Sequence, residues 1–267
     1  MKNKLDNLVK KFETKEFIKS DPIQFPHRFK TKEDIEISAF ISSLFAFGKR
    51  EMFIKKLNFI FSLNESPLEL VKDYKKYNLD NFIYRFIKDI DLIELLRLLN
   101  KLYFIDKSSL EELFVDKNRL EIATNYFYKN TMCSDNQGFC FMFAKPENKG
   151  AMKRLNMFLR WLVRDGEVDL GIWKNIKKSE LLIPLDTHVA RISRELGLLK
   201  RKQNDFKAVV ELSEKLKEFD ELDPIKYDFA LFGYGVNQTN LSTWHYKSNI
   251  KIEPEDDTNL YQTFHVH

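Results

Sequence analysis

Two residues of complementary chemistry, Lys153 and Asp186, stand 33 positions apart in the chain. Lys153 opens the segment AMKRLNMFLRWLVR, residues 151–164. Its apolar members Met152, Leu155, Leu159, Leu162 and Val163 gather on one side of a helix. On the other side Lys153, Asn156, Arg160 and Arg164 fall within a sector of roughly 80° at 100° per residue. The first turn of a helix disfavours a positive charge, and a lysine amine is a nucleophile only when neutral. The chemistry open to Lys153 is therefore attack on an electrophilic carbon. An amine, an amide and two guanidiniums aimed in one direction also suit a phosphate backbone. Without a function, the same stripe is a solvated helix face.

Asp186 lies in LLIPLDTHVAR. Pro184 sets an extended entry, and Asp186 precedes THVARISREL, whose Val189, Ile192 and Leu196 share a face and whose end is marked by Gly197. The pattern predicts a helix with Asp186 as its N-cap. A carboxylate beside an amine can stabilise developing cationic charge, and a capping aspartate needs no further role to explain it. His188, two residues on, suits either a phosphate contact or a half-buried surface position.

The elements that must hold these residues are helical. Apolar residues recur at three and four spacing almost throughout, as in Ile35, Ala39, Ser42 and Ala46 or Leu92, Leu95, Leu96 and Leu99, which predicts an all-α protein. Eight glycines and seven prolines fall where helices should begin or end. Asp21-Pro22 and Phe25-Pro26 make residues 20–30 an extended connector. Ser66-Pro67 starts a helix, Asp205 caps FKAVVELSEKLKEF, and Asp223-Pro224 opens IKYDFALFGYG. Residues 130–150 break the pattern and read as a long surface loop. Residues 251–267 read as a tail.

Forty-four basic against 40 acidic residues leave a net charge of +4, compatible with a polyanionic partner but no proof of one. The N-terminal segment is amphipathic and lacks the continuous apolar run of a signal peptide. No stretch approaches the roughly 18 apolar residues of a membrane span. These features predict a soluble cytoplasmic protein, with Cys133 and Cys140 as free thiols. Two cysteines cannot hold a four-cysteine iron–sulfur cluster. The five histidines are scattered without zinc-ligand spacing, so no metal or cofactor is expected.

KRLNMFLRWLVR and PLDTHVAR together resemble the lysine helix and the aspartate motif of the helix-hairpin-helix DNA glycosylase superfamily. With DPIKYDFALFGYG they are similar to an uncharacterised bacterial family that looks related to the archaeal 8-oxoguanine glycosylase branch. The likeness is strong over about residues 150–236 and weaker over 20–60. It implies two helical lobes around a cleft, about 31–185 and 1–30 with 186–250, forming one catalytic unit. It implies excision of an oxidised purine from double-stranded DNA, with Lys153 as nucleophile and Asp186 as its carboxylate, and cleavage of the strand through a Schiff base. Asp228, Phe232 and Met157 would contact the flipped base. Lys49 and Arg50, in SSLFAFGKRE, would meet phosphate beside a wedge into the duplex. Arg154, Asn156, Arg160 and His188 would join them along the backbone. A monomer associated with the bacterial nucleoid follows. The glycine-rich hairpin usual before the lysine is reduced here to KPENKG. Two other readings fit the residues: a helical DNA-binding protein without catalysis, and a helical protein-interaction scaffold.

Overall fold

A computed structural model of the chain describes residues 1–77, 79–80, 82–144 and 150–241, with side chains through residue 236. It is built mostly of helices. In chain order these are α1 (Lys2–Phe12), α2 (Lys15–Ser20), α3 (Lys32–Phe45), α4 (Arg50–Ser62), α5 (Pro67–Lys72), α6 (Asp89–Asn100), α7 (Leu110–Phe114), α8 (Arg119–Asn130) and α9 (Gln137–Met142). There follow α10 (Lys153–Val163), α11 (Thr187–Glu195), α12 (Phe206–Lys217) and α13 (Tyr227–Leu241). One antiparallel hairpin, β1 (Ile83–Tyr84) and β2 (Ile87–Lys88), joins the region before α6. The periodicity did not foretell it, because two-residue strands leave no alternation to detect.

The central element is α3, whose residues from Ile35 to Phe45 are all buried. Its start is fixed by Thr31, whose hydroxyl accepts from Asp34 N. Phe40 sits among Phe114, Phe127, Phe143 and Phe158 at ring separations of 5.1 to 6.3 Å. Each such ring taken fully from water contributes roughly 1.5–3 kcal/mol. Glu36, also on α3, is buried, and its carboxylate accepts from Tyr103 Oη at 2.6 Å and Trp173 Nε1 at 2.8 Å.

Helix α10 packs against α3, while α13 packs against both α1 and α11. The last contact set brings the ends of the described chain together. At Gly233 a Cβ would lie 2.3 Å from the ring of Phe12, so only glycine lets α1 come this close. Asp186 and Asp205 cap α11 and α12 through Val189 N and Ala208 N, Ser66 caps α5, and Gly197 takes a φ of 71° after α11, all as the sequence predicts.

Two expectations are corrected. Residues 22–24 and 26–28 form short 3-10 turns with Ile23 and Phe25 fully buried, so the two prolines start turns instead of extending the chain. The region 130–144 contains α9 and buries Phe139, Met142 and Phe143. Six residues are too few for periodicity to show. The KPEN-K stretch, residues 145–149, and the tail lie outside the described residues. Cys133 and Cys140 are free thiols. Among the described residues no helix is long and apolar enough to cross a membrane, and no cluster of metal-ligating side chains occurs.

Candidate active site

The amine and the carboxylate meet. Lys153 Nζ donates to Asp186 Oδ2 at 3.2 Å, while Asp186 Oδ1 accepts from Val189 N at 2.8 Å. One carboxylate therefore caps α11 and pairs with the lysine at the same time, a different oxygen serving each role. Lys153 is the first residue of α10, and the Met152 before it takes a φ of 47°, an arrangement that costs a residue with a Cβ about 1–2 kcal/mol. The lysine side chain is 35 % exposed and the aspartate 12 %. The amine can thus be reached from outside while its partner is screened.

Both side chains line a cavity of about 330 Å³, within the range of roughly 300–1,000 Å³ typical of small-molecule sites. Five parts of the chain build its walls. From α10 come Lys153, Met157 and Arg160, and from the entry to α11 come Pro184, Asp186 and His188. Helix α13 supplies Asp228 and Phe232. The N-terminal arm supplies Phe17 and Asp21, and the turn after α3 supplies Phe47 and Arg50. A second cavity of about 290 Å³, beside Asn156 and Arg119, is lined more by apolar groups. Amine, carboxylates and aromatic rings converge in the first.

Burial governs the electrostatics. Asp228 is 5 % exposed, and its removal from water, partly offset by Arg160, pushes its carboxyl up to about 6. Its partner Arg160 bonds Asp228 through Nη1 and Asp169 through Nε, the latter at 3.3 Å. Burial works against the Arg160 charge, but Asp169, Asp228 and Asp21 outweigh it and hold the guanidinium ionised. Arg164 continues the network to Asp169 at 2.9 Å, to Asp223 at 2.9 Å and to Glu13. The guanidinium of Arg160 also lies over Phe229, 4.4 Å from the ring centre.

This network turns the polar stripe of α10 toward protein and away from bulk solvent, against the reading of a solvated helix face. Arg160 and Arg164 are each only 4 % exposed; they face inward onto carboxylates, and of the two only Arg160 also lines the cavity. Asn156 is 1 % exposed, donates to Ala151 O at 3.2 Å, and lines the second cavity. Arg154 bonds the main-chain oxygens of Leu44 and Phe141 and stacks 4.2 Å from the Phe141 ring centre. Burial lowers its guanidinium to about 10, and the residue clamps α10 to α3 and α9. Arg154, Asn156 and Arg160, expected along a DNA backbone, are thus all held by hydrogen bonds within the protein, with Arg160 alone of the three on the wall of the first cavity.

The others stand where a ligand could reach them. Lys49 and Arg50 are exposed at the start of α4, Arg50 bonding Ser20 Oγ at 3.3 Å. His188 is half-buried, with its ring edge-on to Phe232 at 6.4 Å. Met157 and Phe232 face the cavity with Asp228. Asp21, Phe17 and Phe47 also line it, and no sequence reading singled them out. The signal for Asp21 was its place before proline, which marks a turn and says nothing of a cavity.

No curated protein and no solved structure matches the chain. A family model does match, over residues 21–237, which takes in the lysine, the aspartate pair and almost the whole cavity wall. The chain belongs to the family described as protein of unknown function, DUF2400.

Proposed function

We propose that the chain is a DNA glycosylase with lyase activity, which extrudes an oxidised purine nucleotide into the cavity and removes its base. The observation that carries this is the 3.2 Å pair of Lys153 and Asp186, contributed by separate helices to one wall of a cavity large enough for a nucleobase. The half-exposed amine is positioned to attack. Its lone pair forms a bond to C1′ of the sugar as the C1′–N bond breaks, and the base leaves with that electron pair and takes up the proton that the amine gives up. Asp186 stabilises the positive charge that builds on the sugar. Opening of the sugar ring at C1′–O4′ turns the adduct into a Schiff base, and loss of a C2′ proton then expels the 3′ phosphate.

Phe232, Met157 and Asp228 form the apolar and polar sides of the base pocket. Arg50 at its rim and the exposed Lys49 before it in the chain are the cations available to flanking phosphates. Extrusion costs a few kcal/mol, offset by stacking and phosphate contacts. Two helical lobes meeting at this cavity would be the glycosylase-like arrangement.

The test is covalent capture. Borohydride added to the protein with an 8-oxoguanine duplex should trap a protein–DNA adduct, and Lys153→Ala should abolish it. Salt-sensitive binding without any adduct would favour a helical protein that only grips DNA. No affinity for duplex would leave the scaffold reading.

A further inference from the structure

Asp21 is a carboxylate that the proposed excision chemistry does not use. It caps the 3-10 turn Pro22–Gln24, its Oδ1 accepting from Ile23 N at 3.1 Å. The residue is 9 % exposed and lines the cavity that holds Lys153, Asp186 and Asp228. Among the described residues no group donates a hydrogen bond to Oδ2 and no cation pairs with it within salt-bridge distance. Arg160, Arg50 and Lys153 act on it only at longer range. Oδ2 is not fully buried, so its free side is open to the cavity, where a ligand that brings a donor can satisfy it in place of water. We propose that Asp21 accepts a hydrogen bond from a ring N–H of the extruded base and so determines which purine the cavity holds. The inference rests on the glycosylase reading above.

The selectivity follows from where purines carry hydrogen. Undamaged guanine and adenine both present N7 as a bare acceptor. A carboxylate oxygen against that lone pair is repulsive, since no proton lies between them. Oxidation at C8 to the keto form moves a hydrogen onto N7 and turns the acceptor into a donor. The same Oδ2 then attracts the damaged base and repels the intact one. Burial raises the Asp21 carboxyl, opposed by the Ile23 N–H and by the charges of Arg160, Arg50 and Lys153. An N–H arriving at Oδ2 stabilises the ionised, acceptor-only form further.

Asp21→Asn tests this, because the amide keeps an oxygen for the Ile23 cap and puts an NH₂ donor in place of the second oxygen. Asp21→Ser is the second variant, retaining a cap acceptor and nothing more. Single-turnover excision is compared on duplexes carrying 8-oxoguanine and 8-methoxyguanine, the latter lacking the N7 hydrogen. The wild type should prefer 8-oxoguanine by about 10- to 100-fold, the worth of a hydrogen bond to a charged acceptor. In both variants that ratio should collapse toward one while the melting temperature stays in place. A ratio retained in the variants overturns the role of Asp21, as does an equal loss on both substrates, which would mark a purely structural residue. Borohydride trapping of the wild type on abasic-site DNA, which has no base to read, separates the two levels. Trapping there with an unchanged ratio in the variants sinks the Asp21 inference alone; no trapping sinks the glycosylase reading and this inference with it.

Discussion

Replacing Arg160 by methionine removes the cation that Asp169 and Asp228 share. The three side chains are 5 %, 0 % and 7 % exposed, so water from the cavity replaces the lost guanidinium only in part. Asp169 keeps Arg164 at 2.9 Å, whereas Asp228 is left facing Asp186 and Asp169 without its ion pair. Methionine preserves most of the aliphatic stem, and the packing loss is therefore small. Breaking a buried pair by deleting one partner costs about 3–5 kcal/mol, and the desolvated contact over Phe229 is worth about 2 kcal/mol, part of which the methionine stem retains. We expect a loss of about 3–5 kcal/mol in urea unfolding at about pH 8, well above the point where Asp228 ionises. Arg160→Met combined with Asp228→Asn should recover part of it, because the orphaned charge is gone. An unfolding free energy within about 0.5 kcal/mol of wild type, the usual range for a surface substitution, would refute this account of α10. So would a fall of about 0.9 in the salt slope of DNA binding, the mark of one lost phosphate contact.

The carboxyl of Asp228 binds its proton more tightly in the folded state, at about 6 against an ordinary 3.8, so its contribution to stability is greatest in acid and declines as pH rises. At 1.36 kcal/mol per pH unit, wild type minus Asp228→Asn should fall by about 3 kcal/mol between about pH 4 and pH 7 and then level off; a difference that grows with pH would contradict the burial argument. Gly48 has a φ of 80°, and a Cβ there would stand 3.0 Å from both Arg85 Nη1 and Tyr84 Oη. Gly48→Ala should cost about 1–2 kcal/mol in thermal unfolding, and a variant as stable as the parent would show that this turn relaxes freely.

Much of the helical frame was legible because its punctuation is local. Asp186, Asp205 and Ser66 each bond an N–H three residues ahead, so a short window of sequence contains the whole interaction. The meeting of Lys153 with Asp186 was also anticipated, from motif likeness and not from periodicity. Periodicity identified which polar residues of α10 share a face but not what lies opposite. Arg160 finds Asp228 68 positions away, and Arg164 finds Asp223 and Glu13 59 and 151 positions away, beyond the reach of any window. A stripe of basic residues on an amphipathic helix looks the same whether water or buried carboxylates cover it. Asp21 escaped for the same reason, since its cavity is completed by α10, α11 and α13.

The contact of α1 and α2 with α13 sets the order in which a nascent polypeptide can become competent. Phe17 and Asp21 leave the ribosome early, yet the surface they complete needs Asp228 and Phe232, more than 200 positions later. A fragment ending after α11 lacks the helix against which both α1 and α11 pack, and with it the part of the cavity wall formed by Asp228 and Phe232. Under the proposed function these two residues would face the base and are among the last to be made, so selectivity would arrive only when the final helix docks.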